Sequence, residues 1–204
     1  MSRAPVAIES VVFDIGWVFV RLNYRPLLEC LRAHGAAAPD MPWLLERIAL
    51  HEHESGRLAG REFLEQLSAV APRPPPLAAL EAAWLDMFEL EPAMVALAHR
   101  LAERYRVYLL SNIGDLHWAH LSREYALHGI GHGALPSYLA GAMKPHGDIY
   151  AEAERRFALT PAATVFIDDR EDNIAAARAR GWAGIVHVDF PSTLQALREL
   201  AIAC

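Results

Sequence analysis

Cysteine is nearly absent from this 204-residue chain: Cys30 and Cys204 are the only two, and no C-x-x-C spacing occurs. That argues against a disulfide framework and a cysteine zinc site, and a reducing compartment is expected. Lysine is scarcer still. Lys144 stands alone, and arginine supplies the rest of the 19 basic residues. Long apolar runs are missing too. None approaches the ~18 residues of a membrane span, and Val11–Val20 is broken by Asp14, a carboxylate foreign to a secretory leader. Positive charge is not in excess: 25 acidic residues leave a net charge of −6, which argues against a broad polyanion-binding face. These absences predict a cytoplasmic protein with neither nucleic acid nor membrane as partner. What is present is a 53% hydrophobic content, ample for a core of one domain or of one domain with a sizeable insertion.

Three apolar runs end in polar residues. Val11-Val12-Phe13 leads into Asp14, Val107–Leu110 into Ser111-Asn112, and Val165-Phe166-Ile167 into Asp168-Asp169. Unalternating β-branched and aromatic runs suit strands buried on both faces of a parallel sheet, and Gly184–Val188 is a fourth in the same style. Helical patterns lie between them, over Pro92–Arg104, Asp115–Tyr125, Gly147–Phe157, Glu171–Arg180 and Ser192–Leu200. Ser192-x-x-Gln195 is a candidate capping box. Strand alternating with helix predicts a doubly wound, Rossmann-like α/β core over 1–20 and 91–204.

Residues 21–90 break the alternation. They show no strand pattern and read as helices over Pro26–Ala33, Pro42–His53, Gly60–Val70 and Leu77–Phe88, with Ala71–Pro76 as a stiff connection. An all-helical insertion behind the first strand would cover the carboxyl ends of the strands, where open α/β sheets bind ligands. Parallel strands would bring Asp14, Ser111, Asn112, Asp168 and Asp169 to that edge. Three carboxylates at close quarters repel unless a cation joins them, and Mg²⁺ is the hard, oxygen-seeking candidate.

Phe13–Val18, Leu110-Ser111-Asn112, Lys144-Pro145 and Phe166–Asn173 resemble the four ordered motifs of the haloacid dehalogenase superfamily. The helical insertion resembles its C1-type cap. Within it, His51–Gly56, Leu116-His117 and Lys144-Pro145-x-x-x-Ile149-Tyr150 are most similar to bacterial sugar-phosphate phosphatases, the branch that includes α-D-glucose-1-phosphate phosphatase. The resemblance implies a Mg²⁺-dependent phosphatase acting on a small phosphorylated metabolite, most readily a sugar phosphate. It makes Asp14 the nucleophile and a metal ligand, and gives the metal the Gly16 backbone carbonyl. Asp169 would be a direct ligand, Asp168 the second choice. Ser111 and Asn112 would bind phosphoryl oxygens, Lys144 would neutralise their charge, and Asp172 would cap the next helix and support the site with Asn173.

One departure matters. Where such phosphatases carry a second Asp, as acid and base, this chain has Gly16. A positioned acid is typically worth about 10²–10⁴ in rate, so the substitution favours easily departing leaving groups and argues against a phosphomutase. His51, His53 and His117 are the substitute acids to weigh against ordinary packing, and His51 and His53, at i and i+2, make a poor zinc pair. Glu54, Arg57 and Trp17 are the specificity candidates; Trp43, Trp84, Trp118 and Trp182 read as packing. The rival readings are a 2-haloacid dehalogenase, which leaves Asp168-Asp169 without a purpose, and a catalytically weak phosphate- or metal-binding module. Oligomeric state is not legible.

Overall fold

The computed structural model describes residues 7–204. In chain order the elements are β1 (Ser10–Phe13), β2 (Val20–Leu22), α1 (Arg25–Ala33), α2 (Met41–Leu45), α3 (Leu50–Glu54), α4 (Gly60–Ala69), α5 (Leu77–Leu85) and β3 (Phe88–Leu90). Then follow α6 (Pro92–Ala102), β4 (Arg106–Ser111), α7 (Asp115–Glu124), β5 (Gly133–Pro136), α8 (Ser137–Ala140), α9 (Gly147–Phe157), β6 (Thr164–Asp168), α10 (Glu171–Ala179), β7 (Ala183–Val186) and α11 (Phe190–Glu199).

Five strands form one parallel sheet in the order β5-β4-β1-β6-β7. Side chains alternate between its faces with the period of two. Val11 and Phe13 pack with Val107, Leu109, Val165 and Ile167 beneath α6, α7 and α11. Val12 packs with Leu110 and Phe166 against Ile149 and Tyr150 of α9 and Ile174 of α10. Helices therefore cover both faces, as the apolar runs require. Phe13 lies in register with Leu109 on one side and Ile167 on the other. Asp14, Ser111 and Asp168 thus leave the sheet at one edge. After β5 the chain crosses back to the far side of β1, and such a reversal opens a crevice at the carboxyl ends of the central strands.

The helices of the insertion pack around Leu27, Leu31, Leu44, Phe63, Leu67 and Trp84. Their entry and exit are tied together by a ribbon that the sequence reading missed. Val20–Leu22 pairs antiparallel with Phe88–Leu90, so the last inserted helix ends at Leu85 rather than Phe88. Three-residue strands are too short to show a period of their own, and this pair is joined only by long-range contact. The expected Pro42–His53 helix is two, α2 and α3, with the break allowing both Leu44 and Ile48 to be buried. β5, an edge strand beginning at Gly133 and ending at Pro136, also carried no pattern. The last helix begins two residues before the expected Ser192. Its capping box is Asp189 with Ser192, in which Asp189 accepts from the Ser192 N–H at 2.8 Å, and Gln195 takes no part in it.

Phe63 is fully buried between the rings of His53, at 4.4 Å, and Trp84, at 5.0 Å. Phe63→Ala is expected to cost about 3–5 kcal/mol, read by urea unfolding; a loss below about 1 kcal/mol would contradict this packing.

Candidate active site

Each strand end delivers one part of the site. Asp14 follows β1 directly, its N–H donating to the Ile167 carbonyl of β6 at 2.9 Å. Ser111 ends β4 and Asp168 ends β6. Lys144 comes from the loop before α9 and is held by Asn112 in a two-way clamp. The Asn112 side chain donates to the Lys144 carbonyl at 2.8 Å and accepts from the Lys144 N–H at 2.8 Å. The Asn112 amide, expected on a phosphoryl oxygen, spends its oxygen and one N–H on placing the lysine and still lines the polar cleft around Asp14.

The Lys144 ammonium, 1% exposed, lies 2.8 Å from Asp14 Oδ1 and 2.6 Å from Asp168 Oδ2. Burial alone would lower its pKa, but the two carboxylates outweigh that and raise it. Asp168 is fully buried and its acceptor positions are filled. Oδ1 accepts from the Arg170 N–H at 2.8 Å and Asn173 Nδ2 at 2.9 Å, while Oδ2 accepts from Lys144 and, at 3.0 Å, from Asn173. Asp14 Oδ1, by contrast, is buried without a well-aligned hydrogen bond. Burial raises the Asp14 pKa; Lys144 opposes the shift and Asp168 adds to it. Asp169, half-buried, is pushed up to about 6, first by burial and then by Asp14 and Asp168.

One oxygen from each of Asp14, Asp168 and Asp169 lies within 4.8 Å of the others. Against three carboxylates stands one ammonium, leaving two negative charges for a divalent cation to balance. With Asp168 saturated, Asp14 and Asp169 keep lone pairs for it. The donors are all oxygen, as Mg²⁺ prefers. The residues present fit the ion.

Asp14, Lys144 and Asp169 form one wall of a polar cleft of about 400 Å³ that also includes Gly16, Trp17, Asn112 and Glu54. A Cβ at Gly16 would meet nothing within 4 Å, so the place of the missing second Asp is open space. Glu54 faces the cleft from the end of α3. Its carboxyl is pushed up to about 8 by burial and by the charge of Asp14, with Lys144 opposing. The segment carrying it is locked to the sheet domain. Ser137 Oγ donates to the Glu54 carbonyl at 2.5 Å and accepts from the Ile113 N–H at 2.9 Å. Gly56, at φ +77°, is so close that a Cβ would come within 2.2 Å of the Tyr138 carbonyl oxygen.

Of Arg57, Asp172 and Trp17, only the last lines the cleft. Arg57 is exposed and bonds Glu52 and His51, outside the cleft, because its nearest carboxylate is on its own turn. Asp172 is also exposed and pairs with Arg170 at 2.6 Å; it stands inside α10 rather than at its cap, and Asn173 alone touches Asp168. Trp17, 45% exposed, lines the cleft rather than packing into a core. None of the three weighed histidines is an acid over Asp14. His51 is exposed beside Glu52. His53 is buried and donates to the Leu58 carbonyl. His117 stacks on Trp84, donates to its carbonyl at 3.0 Å, and is pushed down to about 3 by burial. Glu54, read from the sequence only as a specificity residue, is the protonatable group there; its buried, like-charged surroundings had no sequence signal.

A parallel α/β core that gathers three carboxylates and an ammonium at one sheet edge, beneath an inserted helical layer, is the arrangement of a hydrolase. The chain belongs to the haloacid dehalogenase-like hydrolase family, whose model matches residues 21–181. It is 28% identical over 185 residues to a D-ribitol-5-phosphate phosphatase of Bacteroides thetaiotaomicron, covering 86% of this chain and 89% of that one. It is 23% identical over 194 residues to a sesquiterpene phosphatase of Aspergillus oryzae, covering 94% and 96%. A crystal structure of a B. thetaiotaomicron enzyme of this family, in complex with magnesium and inorganic phosphate, superposes with a TM-score of 0.82 at 23% identity, covering 92% of this chain and 99% of that chain.

The raised Glu54 pKa carries a stability signature. A carboxyl whose folded pKa exceeds its unfolded value loses its stabilising contribution as pH rises through the folded pKa. Below about 6.5 the lowered histidines His53, His117, His120 and His187 act in the opposite sense, so the window for Glu54 runs from 6.5 to about 8. In chelator, unfolding stability is expected to fall across it by on the order of 1 kcal/mol, and Glu54→Gln is expected to make the fall shallower, with Asp14, also raised by burial, keeping its share. An unchanged slope in that variant would contradict the assignment.

Proposed function

We propose that this hydrolase is a Mg²⁺-dependent phosphatase of small phosphorylated metabolites, working through a phosphoryl group carried on Asp14. One observation carries the reading: a buried ammonium joins Asp14 to Asp168 while Asp169 stands beside them, leaving a divalent charge to be filled. Asp14, Asp169 and the Gly16 backbone carbonyl would hold the ion. When bound, Mg²⁺ supplies a Lewis acid for the phosphoryl oxygens. The matched phosphatases, and the related structure holding magnesium and phosphate, support the same reading.

The chain's own groups divide the work. Asp14 attacks phosphorus, and the bond from phosphorus to the ester oxygen breaks, its electron pair leaving with that oxygen. Lys144 offsets the charge building on the phosphoryl oxygens, acting as a point charge rather than a fork. Ser111 donates to a phosphoryl oxygen. Glu54, protonated at neutral pH, gives the departing oxygen its proton and so takes the part that Gly16 cannot play. Water then attacks phosphorus, losing a proton to Glu54, and the bond to Asp14 breaks. The inserted helices act as a cap that carries Glu54 and shields these steps from bulk water. A dehalogenase would leave the three-carboxylate cluster without a role.

The test is phosphate release from p-nitrophenyl phosphate, an ester whose leaving group needs little protonation. Release is expected with Mg²⁺, to stop with excess EDTA, and to fall by at least about 10³-fold in Asp14→Asn, the loss of a group that forms the covalent bond. An Asp14→Asn enzyme working at the wild-type rate would overturn the mechanism.

A further inference from the structure

The polar cleft has a neighbour of opposite character. A cavity of about 210 Å³ adjoins it and shares Gly16, Leu22, Glu54 and Asn112 as walls. It lies between the inserted helices and the sheet domain, and touches Ser111 at its floor. The rest of its lining is mainly apolar: Met41, Leu45 and Leu50 from α2 and α3, Met87 before β3, and Ile113 and Leu121 from the segment after β4. A phosphoryl group seated over Asp14 therefore has its charged oxygens in one compartment and the other compartment beside it, across the residues the two share.

The polar atoms available to a leaving group in that chamber are few. Tyr24 contributes a hydroxyl, Glu54 a carboxyl and Trp84 an indole N–H without a partner among the described residues; Ser111 adds a hydroxyl, and Asn112 an amide already engaged with the Lys144 backbone. His117 also lines the chamber, but its ring is stacked on Trp84 and its Nε2–H is spent on the Trp84 carbonyl. A polyol or sugar carries a hydroxyl on nearly every carbon. Each one taken from water and left unpaired here costs roughly 1–3 kcal/mol, whereas each methylene that replaces it gains from burial.

Resting on the phosphatase reading above, we infer that the alcohol released by this enzyme is apolar: the chamber takes the hydrocarbon part of an alkyl or isoprenoid-type monophosphate, not a sugar. Its size sets the chain. A dry cavity of about 150 Å³ holds benzene, so this one takes a hydrocarbon group of about six to ten carbons on the same scale. The expectation of a sugar phosphate from the sequence came from His51–Gly56, Leu116-His117 and the Lys144 motif, which supply Glu54 and His117 to the chamber but not its apolar wall.

A homologous series of n-alkyl phosphates, ethyl to dodecyl and each below its micelle concentration, tests this on the wild-type enzyme with Mg²⁺. The value of kcat/KM is expected to rise about threefold to fourfold per methylene and to level off at about six to ten carbons, with octyl phosphate preferred over hexose and pentitol phosphates. Leu50→Asn, a change in a partly exposed wall, is expected to make the series shallower. A flat series, or a sugar phosphate preferred over octyl phosphate, overturns the inference and leaves the phosphatase reading in place. No Mg²⁺-dependent release from any ester overturns both.

Discussion

Everything at the carboxyl edge of the sheet depends on one buried ammonium. Lys144 is the only lysine of the chain, and its Nζ sits between carboxylates that arrive from two different strands. Burying such an ion alone would cost several kcal/mol; the cost is offset only when geometry is good and the remaining acceptors are satisfied. Asn173 and the Arg170 N–H complete Asp168, and Asn112 fixes the lysine backbone. The lysine thereby ties β1, β4 and β6 together at the level where the chemistry takes place. The saturation of Asp168 has a second effect, since it leaves Asp14 and Asp169 as the carboxylates with capacity to spare.

The inserted helices answer a deficit in the core. Position 16 carries no side chain, so in the mechanism proposed above proton transfer comes from the insertion, through the Glu54 carboxyl that lines the cleft. Its position is not left to a flexible turn. Ser137 holds its carbonyl, and the approach of Gly56 to Tyr138 leaves no room for a side chain. The same closure that raises the Glu54 pKa also encloses the apolar chamber. The proposed proton supply and the proposed leaving-group selection thus share one piece of packing.

Much of this was legible in the sequence, for physical reasons. Strands buried on both faces leave unbroken apolar runs, and the polar residue ending each run marks the working edge; Asp14, Ser111 and Asp168-Asp169 were visible in that way. Lys144 stood out through rarity and the motif around it. What stayed hidden depends on partners distant in the chain. The Val20–Leu22 and Phe88–Leu90 ribbon exists only as a pair. The clamp that Asn112 makes on the Lys144 backbone joins residues 32 positions apart. Arg57 looks like an anion receptor until Glu52 is seen to hold it. His53 and His117 look like acids until aromatic neighbours enclose them. The chamber wall gathers side chains from residue 15 to residue 121, and no local pattern records it.

The central claim is that the carboxylate cluster carries an unfilled divalent charge, with Asp169 and Asp14 as its open ligands. Calorimetric titration of the protein with Mg²⁺ at pH 7.5, in the absence of substrate, addresses it most directly. The account requires saturable binding at a single site in the wild type and its loss in Asp169→Asn, with the fold of the variant intact by circular dichroism. Binding that persists unchanged in Asp169→Asn, or a wild-type protein that takes up no Mg²⁺, would contradict it.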